Sequence, residues 1–329
     1  MKPYKFEPYL KTTIWGGYRI APFKGIPTAQ PNIGESWEIS GVPGYESVTV
    51  ERGIIGDVDL GLNLTQLIDK YQGLLVGERI YRKFGNRFPL LVKYIDSRED
   101  LSIQVHPDDK LAQKRHGCPG KTEMWYVIKA DVGAKIYAGL KESITPDDYE
   151  RLVSEVPTTN DKRPTTNPFM DVIATHEAHQ GDLYFLPAGR LHAIGAGNFL
   201  AEIQQTSDIT YRVYDFGRKD AQGNPRELHI AEAKEAIDYR VWPEYRTSYD
   251  STKPNSELIH CPYFTVNRVV VQVASEIDLH TDSFVIVMCL WGEANVNGIR
   301  VKQGETLLVP ASENVLYFFG NATFLTATM

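Results

Sequence analysis

A mainly β fold is predicted by this sequence, on three observations. Short runs rich in β-branched and aromatic residues recur at Ser47 to Glu51, Phe88 to Ile95, Glu123 to Ile128, Asp171 to Thr175 and Asp182 to Leu186. Gly, Pro, Asn and Asp punctuate them, as in sandwiches and barrels of short strands. A turn-and-strand pattern, Gln-Gly-acid-x4-Pro-Ala, then occurs twice, over Gln180 to Ala188 and over Gln303 to Ala311.

The elements follow in chain order. Leu64 to Tyr71 reads as a helix with Asn63 or Thr65 as its cap. Pro146 to Val156 reads as another, and the polar stretch Pro157 to Pro164 after it is either a lid or an exposed loop. Ile230 to Ile237 is rich in good helix formers, and roughly 230 to 255 reads as a connection. Asn297-Gly298, between alternating runs, signals a hairpin. A second β unit is expected from about Ser256, giving domains 1–255 and 256–329. Aligning the two repeats puts Val315 where His192 stands, and neither His260 nor His280 restores a ligand pattern.

With 329 residues, 42% of them hydrophobic, the chain can bury a sizeable core. Its formal net charge of -7 argues against general attraction to nucleic acid or an anionic membrane surface, so an anionic substrate needs a local basic cluster. No run approaches the ~18 continuous apolar residues of a membrane helix, and Met1 to Pro8 lacks the apolar core of a signal peptide. Cys118, Cys261 and Cys289 are widely spaced, which disfavours a disulfide framework. A cytoplasmic setting is expected, as a monomer or weak homo-oligomer.

Chemistry concentrates in a few side chains. Gln104 and His106 stand two apart in an apolar run and would project from one strand face. Glu123 opens a strand-like run, and His192 lies in Gly181-x5-Pro187-x-Gly189-x2-His192. Two imidazoles, a carboxylate and an amide oxygen can enclose one divalent ion and leave coordination positions free, the mark of a working site.

The spacing around His192 resembles the second metal motif of the cupin superfamily, and His106 with Glu123 resembles part of the first. The blocks Gly34 to Ser40, Pro89 to Lys93, Leu101 to Asp109, Gly120 to Tyr126 and Ser207 to Phe216 together resemble type I mannose-6-phosphate isomerases in their short bacterial form. The resemblance implies two cupin-type jelly rolls with a few helices, the second roll lacking metal ligands. It also implies an aldose-ketose isomerase that interconverts D-mannose 6-phosphate and D-fructose 6-phosphate, with one Zn2+ per chain or another divalent first-row metal. Metal ligands are then Gln104, His106, Glu123 and His192. For the sugar phosphate it singles out Lys93, Lys121 and Arg212, with Ser102 as a hydroxyl donor to phosphate.

Arg212, set among aromatic and β-branched residues, needs an anionic partner, and Glu202, Asp208 or an enediolate during turnover can serve. Arginine is no ready base at neutral pH, so another group carries the proton: Lys121, Glu202, a metal-bound water or a further residue, a choice that stays open here. Trp15 and Glu38 lie in or near family-like blocks and read either as pocket lining or as a core Trp and a surface Glu. A cupin Fe(II) oxygenase and a non-catalytic sugar-phosphate-binding cupin would use the same donors. Glucose 6-phosphate as a second substrate stays open at this point.

Overall fold

The computed structural model describes every residue except 29, 156–166, 220–221 and 280–281. It divides into two compact units, one made of Met1–Lys11, Arg19–Tyr94 and Ser248–Met329, the other of Thr12–Tyr18 and Ile95–Thr247. This differs from the linear split 1–255 and 256–329, because the N-terminal segments build the same unit as the C-terminal strands. Tyr4 pairs with Leu308 and Lys5 with Leu307, a register that connects the two ends of the chain.

The unit containing Ile95–Thr247 is a sandwich. One sheet runs Tyr211–Tyr214, Ile103–Val105, His192–Ile194, Lys135–Leu140 and Ile173–Glu177. Opposite it, Asn198–Gln205, Glu123–Ala130 and Leu183–Leu186 pair antiparallel. Trp125, Val127, Tyr184 and Leu200 from this sheet share one apolar cluster with Ile136, Ala138, Ala174 and Ile194 from the first, so these faces pack together. Strand alternation sends Ile103, Val105, Ala193 and Tyr211 the other way, against Tyr149, Leu152, Phe169 and Ala233 of the helices Pro146–Ser154, Pro168–Asp171 and Ile230–Ala236. The residues between them, Gln104, His192 and Arg212, are thereby turned to the inner face.

Helix boundaries follow capping chemistry. Asn63, not Thr65, caps Leu64–Tyr71, with its side chain accepting from Gln66 N while Gln66 reaches back to Asn63 N. Thr145 and Asp148 form the same box on Pro146–Ser154, with Pro146 in the first turn. Val156 and the lid-or-loop stretch Pro157 to Pro164 lie outside the described residues. An unforeseen helix, Asp109–His116, is capped by Asp108 and closed by Gly117 in the left-handed region. Ser47 to Glu51, expected as a strand, contributes only isolated bridges at Val48 and Thr49; the Thr49 hydroxyl is tied to the carbonyls of Asp59 and Leu62.

The other unit is dominated by an antiparallel sheet in the order Tyr4–Lys5, Thr306–Val309, Val285–Val296, Val315–Thr328, Thr265–Val271, Asn255–His260. Its C-terminal run of strands starts at Asn255, next to the expected Ser256. The hairpin forms as read: Val296 faces Ile299, and Asn297 and Gly298 both take positive φ, 46° and 87°. Val315 opens the last strand, half-buried. His280 lies outside the described residues, and His260 is exposed, bonded to Thr265 Oγ1. No described helix is long and apolar enough to cross a membrane.

Candidate metal centre

One row of side chains crosses the inner face of the five-stranded sheet. Gln104 is the register partner of both His192 and Arg212, and directly opposed residues of antiparallel strands share a face. His106 follows Gln104 by two residues. On the facing sheet Glu123 opens its strand opposite Gln204 and Leu186. One ligand atom each from His106, Glu123 and His192 comes within 4.8 Å of the others.

Backbone carbonyls set the imidazoles. His106 Nδ1 lies 2.9 Å from Ile209 O and His192 Nδ1 lies 2.8 Å from Arg190 O. A carbonyl only accepts, so each Nδ1 carries the proton and each Nε2 presents a lone pair. Those two Nε2 atoms are 3.2 Å apart, and Glu123 Oε1 is 3.2 Å from His192 Nε2. Gln104 Nε2 lies 3.4 Å from His192 Nε2, and a flip of the amide brings its oxygen to the same place. Glu123 is fully buried, and neither of its oxygens makes an aligned hydrogen bond among the described residues. Converging lone pairs and a buried carboxylate are a donor set that fits a divalent cation.

Lys121 stands beside this set, its Nζ 3.0 Å from Glu123 Oε2 and 3.1 Å from His106 Nε2. Burial and then the Lys121 charge bring the His106 pKa down to about 3. Burial likewise lowers that of His192, with Glu123 opposing. For Glu123 burial acts upward, but Lys121 and the imidazoles outweigh it and hold the carboxyl well below its ordinary range. Neutral imidazoles and an ionised carboxylate are the forms that bind a metal.

The remaining expected residues divide. Glu202 is buried and accepts from Trp125 Nε1 at 2.8 Å, and Trp125 packs edge-on against His192 with centroids 5.3 Å apart. Ser102 is buried two residues before Gln104. Arg212 does not pair with Glu202 or Asp208 as expected. Its Nη1 donates to Glu227 O, its Nε is buried without a hydrogen-bond partner among the described residues, and Asp208 is exposed. Trp15 is buried in the apolar cluster with Trp125, the core reading of that residue. Glu38 belongs to the other unit, where Lys24 Nζ donates to both its oxygens at 2.7 Å and Thr306 Oγ1 donates as well. Its burial overturns the reading as a surface Glu. Lys93 is buried in the same unit, 3.6 Å from Glu35 and over the Trp37 ring.

Trp125 and the carbonyls of Ile209 and Arg190 were not anticipated. A Trp two residues after Glu123, hence on the same strand face, was an available signal; the direction of a carbonyl is not written in residue type.

Comparison with known proteins agrees with the geometry. The family model for the type I phosphomannose isomerase catalytic domain matches residues 4–131. The mannose-6-phosphate isomerase of Streptococcus mutans is 31% identical over 97% of this chain and 96% of its own. Mannose-6-phosphate isomerase ManA of Bacillus subtilis is 32% identical over 94% of this chain and 93% of its own. A crystal structure of the mannose 6-phosphate isomerase from Bacillus subtilis superposes with a TM-score of 0.86 at 28% identity, covering 100% of both chains.

Proposed function

The chain belongs to the type I mannose-6-phosphate isomerase family, and from that premise we propose that it interconverts D-mannose 6-phosphate and D-fructose 6-phosphate, using the His106–Glu123–His192 cluster as its metal centre. The observation that carries the reading is that buried donor set with Lys121 against it. A divalent ion held there by these residues and Gln104, zinc in this reading with other first-row metals admissible, would supply Lewis-acid polarisation of the sugar oxygens. The same donors would suit an Fe(II) oxygenase or a sugar-phosphate sensor, and family membership decides for the isomerase.

The reaction moves a proton between C2 and C1 through an enediol. Lys121 and Glu202, both buried, are the proposed proton carriers. Arg212 shares the cross-strand row with Gln104 and keeps an unused Nε donor, which supports its assignment to the charge that develops on the enediol oxygens. Ser102 is proposed to hold the phosphate as a hydroxyl donor. The three cysteines are free thiols, which suits the cytoplasmic setting included in this proposal.

A coupled assay that follows fructose 6-phosphate formed from mannose 6-phosphate tests the function, with glucose 6-phosphate run in parallel. Turnover of mannose 6-phosphate is expected, independent of oxygen. Full activity in a chain carrying both His106→Ala and His192→Ala would contradict the assigned centre.

A further inference from the structure

Lys121 has a long, flexible side chain whose ammonium must be kept at the metal centre, and the backbone that carries it is tied at three consecutive amides. Gly120 N donates to Asp109 Oδ1 at 2.8 Å, Lys121 N to Pro107 O at 3.2 Å, and Thr122 N to Gln205 Oε1 at 2.9 Å. The return bond, Gln205 N to Thr122 O, is 3.1 Å. Gln205 Nε2 then donates to the same Asp109 Oδ1 at 3.0 Å, closing the circuit between the start of the helix Asp109–His116 and the end of the strand Asn198–Gln205. Gly120 lies so close to the helix start that a Cβ would stand 2.5 Å from Asp109 N, so only glycine fits.

We infer that Asp109 and Gln205 are positioning residues that clamp the Gly120–Thr122 backbone and so aim Lys121 at the metal centre. The clamp itself rests on the hydrogen bonds above; its catalytic consequence rests on the isomerase reading. Lysine is rich in rotamers, so a loosened backbone root spreads the ammonium over positions that miss the reacting carbons. The amide of Gln205 is required as such, because it accepts from Thr122 N and donates to Asp109 at once. Glutamate of the same shape keeps the acceptor, loses the donor and sets a second carboxylate against Asp109. Asparagine at 109 keeps an oxygen able to accept both bonds.

The test uses the metal-loaded full chain and its Gln205→Glu, Asp109→Ala and Asp109→Asn variants, reading amide hydrogen exchange over 119–123, metal content, kcat and KM. Gln205→Glu is expected to speed exchange of these amides roughly tenfold, the scale of one lost hydrogen bond. Its kcat is expected to fall roughly tenfold or more, with metal content and KM within about twofold of the parent. Asp109→Asn is expected to recover most of what Asp109→Ala loses. Unchanged exchange, a raised KM at unchanged kcat, loss of metal, or equal damage in both Asp109 variants would each overturn the clamp. If the parent chain does not turn over mannose 6-phosphate, the isomerase reading falls, and the exchange data still decide the clamp.

Discussion

Arg212 is half-buried in the row with Gln104 and His192. Burial first, then the charges of Arg226 and Arg218, pull its pKa down, while Asp215 and Glu227 oppose them. A cation held under such strain gains most when negative charge appears beside it, which happens in the enediolate and not in the bound sugar. Arg212→Ala and Arg212→Lys should therefore lower kcat by roughly 10²-fold or more with a smaller change in KM. An Arg212→Ala enzyme with unchanged kcat and raised KM would make the residue a substrate anchor instead. At this scale the clustering of His106, Glu123 and His192 was legible because His and Glu at motif spacing carry their chemistry in the residue type. The supports were not: Gln205 and Asp109 act through bonds to backbone amides distant in sequence, and Arg212 bonds to the Glu227 carbonyl, not to the Glu202 or Asp208 carboxylate.

Elements were readable where local chemistry decides them. The Asn297-Gly298 turn is such a case, since both residues adopt the left-handed region that a two-residue hairpin loop demands. Gly298→Ala should cost roughly 1 kcal/mol of stability, the penalty of a Cβ at positive φ, read from the denaturant midpoint of the purified variant. An unshifted midpoint would mean the turn relaxes at no cost. Asp109–His116 is equally encoded, with Asp108 before it and Gly117 after it, but it follows directly on an apolar run with strand character. Ser47 to Glu51 shows the converse, a β-prone run whose side chains bond to a loop instead of joining a ladder.

On the scale of the whole molecule, two β units were foreseeable from the repeated Gln-Gly-acid-x4-Pro-Ala pattern, whereas the return of residues 1–11 and 19–94 to the C-terminal strands depends on long-range pairing that no local pattern announces. Within that unit Asp59 links distant segments, accepting from the hydroxyls of Tyr4 and Tyr71 and from Lys70 and Arg52. Burial alone would raise its pKa, but Lys70 and the two tyrosines lower it. A depressed carboxyl stabilises the fold fully above about pH 4 and loses that contribution as pH falls through its folded value. The stability difference between the parent and Asp59→Asn should thus shrink as pH is lowered from neutrality toward about 3, and a difference constant with pH would contradict the assignment. The central claim, that the buried His106–Glu123–His192 set runs the isomerisation by holding one metal ion, is tested most directly by stripping the chain with a chelator and titrating zinc back while following mannose 6-phosphate turnover. The account predicts that activity vanishes with the metal and returns in proportion to it, reaching its plateau at about one ion per chain. Full turnover in the verified metal-free chain, or a plateau unrelated to bound metal, would contradict it.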